Sequence, residues 1–101
     1  ILDVRSAGEF TGARGSPCDP RQGHIPGAVH LDVTTLLAAR TVEEIRSLVG
    51  AEPGTEIVAY CHSGSRSAHA VAALELAGYA ARNYRGSWHE WSRDDSLPIS
   101  S

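Results

Sequence analysis

The chain has 101 residues, with nine Lys and Arg against twelve Asp and Glu, for a net charge of −3. That length allows one domain with a modest core, and an acidic balance without any Lys/Arg run argues against a nucleic-acid partner. Hydrophobic residues make up 42% of the sequence, as in globular chains, yet no apolar run is long enough to cross a bilayer, so no membrane partner is expected.

Ile1 to Arg5 reads as a short strand that ends polar. Ser6 is placed to cap a short helical turn through Phe10, with Glu9 at the capping-box position. Thr11 to Gly23 is a loop with three Gly, two Pro and an Asp. It is long for a compact domain, so it is expected either to be mobile or to lie over something. His24-Ile25-Pro26-Gly27 has the Pro-Gly order of a type II turn, and Ala28 to Leu31 reads as a second strand. Asp32 or Thr34 caps a short helix around Leu36 to Ala39. Thr41 starts another, with Glu44 at the capping-box position, apolar residues at helical spacing and Gly50 as its stop.

Ile57 to Tyr60 reads as a buried strand. A polar loop follows, Cys61-His62-Ser63-Gly64-Ser65-Arg66-Ser67. Residues 68 to 77 are apolar apart from His69 and Glu75, which predicts a helix covered on most sides and closed by Gly78. Ala80 to Tyr84 is a last strand, and Gly86 to Trp91 a turn and short helix with Ser87 as its cap. Strands alternate with helices, so the expected fold class is α/β, with a mainly parallel central sheet and helices on both faces in three layers. In such sheets ligands sit outside the carboxyl ends of the strands, where Cys61 falls.

The loop suits an anion and a thiolate. Backbone N–H groups at the following helix start point back at it. Gly64 and the small serines let successive N–H groups curl into a nest. Arg66 adds a permanent positive charge. Each favours charged sulfur, and each favours an anionic substrate beside it. Cys18 sits among Pro, Asp and Gly, in a setting unlike that of Cys61. Two free thiols in a reducing, cytoplasmic compartment are therefore expected, with a Cys18–Cys61 redox pair as the alternative.

Cys61-x-x-Gly64-x-Arg66-Ser67 after an apolar strand resembles the active-site loop of the rhodanese (thiosulfate sulfurtransferase) family. Asp3-Val4-Arg5, then Gly23-His24-Ile25-Pro26-Gly27-Ala28, are similar to two further signatures of that family. Tyr84-Arg85-Gly86-Ser87-Trp88-x-x-Trp91 resembles the end of the second domain of tandem sulfurtransferases. Four motifs in order make a strong likeness. It implies that residues 1–101 form a single rhodanese-like domain lacking its first strand and helix, with an N-terminal partner domain left open.

The resemblance also implies a reaction. Cys61 would take the outer sulfur of thiosulfate or mercaptopyruvate as a persulfide and pass it to cyanide or a thiol. His62, Ser63, Gly64, Ser65, Arg66 and Ser67 would bind the substrate anion. No metal or organic cofactor is implied. Four residues separate Cys61 from Arg66, whereas related phosphatases and arsenate reductases use five and form a wider cradle. A phosphatase or arsenate reductase, or a non-catalytic module that binds an anion or protein, are the competing classes.

Two departures matter. Tandem thiosulfate enzymes often carry an arginine where this chain has Glu9, and the loop holds His62 and Ser63 where those enzymes have a further basic residue. Asp3, Arg5, His24 and Trp88 are read as supports of the site, Asp3 and Arg5 by pinning strand ends, Trp88 as core or pocket wall. His62 is either a general acid or base or an exposed loop side chain. His30, His69 and His89 show no ligand spacing, and nothing in the spacing supports a metal site of Cys18, His24 and Cys61.

Overall fold

A computed structural model describes residues 1–101. It contains four strands, β1 (Leu2–Asp3), β2 (Val29–His30), β3 (Glu56–Tyr60) and β4 (Ala80–Asn83). They form one sheet of order β2-β1-β3-β4 in which every pairing is parallel. Five helices connect or follow them: α1 (Ala7–Thr11), α2 (Val33–Leu37), α3 (Val42–Val49), α4 (Ser65–Leu76) and α5 (Ser87–Trp91). The α/β expectation therefore holds, and the strand ends gather the sequence motifs at one edge of the sheet.

Local chemistry explains the boundaries. Ser6 and Glu9 form the expected capping box, each side chain bonded to the other's backbone N–H. Asp32 caps α2 through Thr34 N–H, at 2.9 Å. Thr41 caps α3 through Glu44 N–H, at 3.1 Å, but the Glu44 carboxylate turns to Arg40 N–H, so that box is half closed. Gly27 takes φ +83°, and Ala28 N–H closes the turn on Ile25 C=O at 3.1 Å, as the Pro-Gly order predicts.

The period-2 pattern of β3 splits the core. Ile57, Ala59 and, beyond the strand end, Cys61 join Leu2, Val4, Leu36, Ala70 and Leu74 in the larger cluster, under α2, α3 and α4. Tyr60 faces the other way and packs with Ile25 and Trp88 of α5.

One expectation fails here. Helix α4 is buried along a single stripe, Ser67, Ala70 and Leu74, while Leu76 is 77% exposed. Its apolar look comes from alanines, which carry so little surface that leaving Ala68 and Ala72 in water costs little. The long loop, in turn, lies over something. Arg21 donates to four carbonyls, those of Trp91, Ser92, Asp94 and Leu97, and so ties the loop to α5 and the tail.

Candidate active site

Cys61 follows the last residue of β3 and is held from both sides. Its N–H donates to Ser87 Oγ at 3.0 Å, and its C=O accepts from Trp88 N–H at 2.9 Å. Ser87 is therefore no cap, contrary to expectation. It sits inside the first turn of α5 at φ +52°, a conformation unusual for a residue with a side chain. Its hydroxyl stabilises that conformation by donating to Tyr84 C=O at 2.8 Å while it accepts from Cys61.

Gly64 precedes α4 at φ +101°, and a Cβ there would stand 2.8 Å from the Arg85 carbonyl oxygen. Only glycine fits that left-handed corner. The corner aims the Gly64 N–H at Cys61 Sγ, at 3.0 Å. Ser67 Oγ, one turn into the helix, lies 3.4 Å from the same sulfur. Burial pushes the Cys61 thiol up, but the Ser67 hydroxyl and the N–H groups of Ser67, Gly64 and Ser63 outweigh it and hold it below the ordinary thiol value.

The Ser67 hydroxyl has one proton and three acceptors within reach. Asn83 Oδ1 lies at 2.6 Å, Gly64 C=O at 3.2 Å and Cys61 Sγ at 3.4 Å. The neutral amide oxygen is closest while sulfur is protonated, and a thiolate attracts the proton by its charge. Ser67→Ala is accordingly expected to move the pH midpoint of Cys61 alkylation upward and to slow alkylation at neutral pH. An unmoved midpoint would show that the backbone N–H groups act alone.

The other expected anion ligands are placed differently. Ser63 and Ser65 are exposed, and neither hydroxyl bonds the sulfur. The His62 ring turns away to Asp19, with Nε2 2.9 Å from Oδ2. Arg66 is engaged by Glu9 through both ends of its fork, at 2.9 and 3.0 Å. Desolvation raises the Glu9 carboxyl, yet the hydrogen bonds from Arg66 and Ser6 bring it down to about 2. Glu9 therefore occupies the guanidinium an anion would use, and it clasps α1 to α4 beside a sulfur that is fully buried.

Asp3, Arg5, His24 and Trp88, expected as supports, make the following contacts. Asp3 accepts from Arg5 Nε and Nη2 and from Tyr60 OH, and Arg5 Nη2 reaches Gly23 C=O at 2.6 Å. The Arg5 guanidinium also stands 4.9 Å from the Trp88 ring centre. His24 stacks on Phe10 at 3.7 Å, bonds Phe10 C=O through Nδ1 at 2.7 Å, and pairs by its backbone with Ser100. Trp88 is fully buried and bonds Arg21 C=O through Nε1 at 3.0 Å, which makes it core behind the loop. Cys18 and Cys61 are both free thiols.

Asn83 and Ser87 were missing from the sequence-based set. A signal existed for Asn83: it is a polar residue at the end of a strand, in register with Ala59, two residues from Cys61. None existed for Ser87, whose role depends on α5 folding back beneath the loop.

This geometry has counterparts in known proteins. Residues 1–94 match the rhodanese-like domain. The "Probable 3-mercaptopyruvate sulfurtransferase" of Pseudomonas aeruginosa is 36% identical over 110 residues, spanning 100% of this chain and 38% of the relative. A thiosulfate sulfurtransferase of Corynebacterium glutamicum is 38% identical over 112 residues, spanning 98% of this chain and 37% of the relative. Among solved structures, a "Probable Thiosulfate Sulfurtransferase" superposes with a TM-score of 0.89 at 44% identity, covering 99% of this chain and 42% of that one. The chain thus spans well under half the length of the curated relatives it matches. A family match over residues 1–94, curated relatives aligned along the whole of this chain and a solved structure that superposes on it agree: the chain belongs to the rhodanese-like domain family.

Proposed function

We propose that this chain is a sulfurtransferase domain, one part of a tandem-domain protein, that carries sulfane sulfur on Cys61. The observation that carries the reading is the Cys61 sulfur seated 3.0 Å from the Gly64 N–H at the start of α4, in a loop with four residues between Cys61 and Arg66. Donors aimed at one sulfur stabilise a thiolate and, after transfer, the persulfide in its place. The relatives named for thiosulfate and for 3-mercaptopyruvate support the same chemistry.

The Cys61 thiolate attacks the outer sulfur of thiosulfate. A sulfur–sulfur bond forms to Cys61, the sulfur–sulfur bond of the donor breaks, and sulfite leaves with the electron pair. Cyanide or a thiolate then attacks the terminal sulfur of the persulfide, and the Cys61 thiolate is restored. No net oxidant enters, and the two half-reactions imply ping-pong kinetics. With 3-mercaptopyruvate the thiolate attacks the single sulfur, the carbon–sulfur bond breaks, and the enolate that leaves with the electron pair takes up the thiol proton to become pyruvate.

Incubation with thiosulfate, followed by intact mass, tests this. Wild type is expected to gain one sulfur atom and lose it on adding cyanide, while Cys61→Ser gains none. An unmodified wild type with both donors, or an equal gain in Cys61→Ser, would overturn the reading. Turnover of an aryl phosphate would favour the phosphatase class, for which a loop of this length is too narrow a cradle.

A further inference from the structure

The long loop, the cysteine loop and α5 bring four potential metal ligands into one cluster. Cys18, Asp19, His62 and His89 each offer one donor atom, and these atoms all lie within 4.8 Å of one another. We propose that they form a structural zinc site. This does not depend on the sulfur-transfer reading, and it revises the sequence-based expectation of no metal ligands, since the four residues share no local spacing.

The two inner atoms of the cluster lack partners. Asp19 Oδ2 and His62 Nε2 are buried and lie 2.9 Å apart, yet they make no aligned hydrogen bond with each other or with anything else. The Asp19 side chain is 1% exposed, so an unpartnered carboxylate oxygen there is costly. One cation bound to both atoms would satisfy both. Ligands of one zinc ion stand roughly 3–4 Å apart in this way. On the other carboxylate oxygen, His89 Nδ1 lies 3.9 Å from Asp19 Oδ1 and Cys18 Sγ lies 3.9 Å from it, within the 4.8 Å that spans all four donor atoms.

Backbone and outer contacts already hold the segments that carry the ligands. Arg93 donates to Asp19 Oδ1 at 2.8 Å, to Cys18 C=O at 2.8 Å and to His89 C=O at 2.6 Å. His89 N–H bonds His62 C=O at 2.8 Å. Ser16 Oγ stands 2.9 Å from Cys18 Sγ, placed to donate to a thiolate. These contacts hold the ligand-bearing segments, Asp19 Oδ1 and Cys18 Sγ in place before any ion arrives.

The donor set selects the ion. One thiolate, two imidazoles and one carboxylate suit Zn²⁺ in a tetrahedral site, and four protein ligands leave no open position, so the site is structural. The thiolate and the carboxylate balance the charge of the ion. Binding takes the Cys18 proton into solution as the zinc–sulfur bond forms. The ion would join residues 18–19 to His62 and His89, and so brace the loop next to Cys61.

Co²⁺ titration of the chain, followed by visible and near-ultraviolet absorption, tests the proposal. One equivalent is expected to bind with tetrahedral d–d bands and a thiolate charge-transfer band, and Zn²⁺ is expected to displace it. Cys61→Ser should keep the spectrum. Cys18→Ser should lose the charge-transfer band, and His89→Ala should weaken binding by about tenfold or more. Cys18 is exposed and His89 is 51% exposed, so both variants are expected to fold, as circular dichroism would confirm. Absence of stoichiometric binding at micromolar metal would overturn the site. A spectrum lost in Cys61→Ser and kept in Cys18→Ser would overturn it equally, by placing the metal on the catalytic loop.

Discussion

Asp3→Ala is expected to cost the fold about 3–5 kcal/mol, a large share of the roughly 5–15 kcal/mol that holds a domain of this size. Asp3 and Arg5 are 0% and 1% exposed. The carboxylate accepts three bonds from the Arg5 guanidinium, one from the Arg5 backbone N–H and one from Tyr60. Its removal leaves a guanidinium in the interior with only the Gly23 carbonyl as an acceptor for its side chain, and leaves the Tyr60 hydroxyl without an acceptor. Burial and the Asp3 charge hold the Tyr60 hydroxyl far above its usual range, so it stays a donor at any working pH. Urea denaturation would read the loss. Asp3→Asn, which keeps an acceptor and drops the charge, should lose less. Asp3→Ala with Arg5→Ala should lose less than the two single changes summed, because the second removes the stranded charge. A loss under about 1 kcal/mol for Asp3→Ala would show the pair to be solvated like a surface ion pair.

Glu9→Gln is expected to raise kcat/KM for thiosulfate about tenfold, with a smaller gain for 3-mercaptopyruvate. The carboxylate acts twice against a dianion. It repels the donor, and it holds both ends of the Arg66 fork at 2.9 and 3.0 Å. Repulsion scales with donor charge, so the dianion gains more than the monoanion, and the ratio of the two kcat/KM values is the informative quantity. Cys61 is fully buried, so a donor reaches it only after local movement, and this ion pair is one link that resists it. Equal kcat/KM values for wild type and variant on thiosulfate would remove Glu9 from the specificity argument. The same change should alter acid stability. The Glu9 carboxyl is lowered from 4.5 to about 2 on folding, so its contribution is present above the higher value and lost as pH falls through the lower one. Glu9→Gln should flatten that limb of the stability curve.

Much of the site could be found from the sequence because its parts are close along the chain. Cys61, Gly64 and Ser67 fall within one strand end and one helical turn, so the N–H cradle follows from the φ of Gly64 and the start of α4. The capping boxes, the Pro-Gly turn and the strand-helix alternation are likewise set by neighbours a few residues apart. These local signals determined the fold class, and they singled out Cys61 and its loop as the candidate site.

What the sequence could not reveal depends on residues far apart that the topology brings together. Glu9 and Arg66 are 57 positions apart, and their pairing turned an expected anion ligand into a closed clasp. Ser87 reads as a helix cap by composition, and only the return of α5 beneath β3 makes it the acceptor for Cys61 N–H. Asp19 meets Arg93 across 74 positions, and around that contact His62 and His89 converge on Cys18, although no ligand spacing appears in the chain. Hydrophobic period and cap chemistry report the face and ends of an element. Which side chains meet across elements is decided by crossover connections and strand register, and these exist only once the sheet has formed.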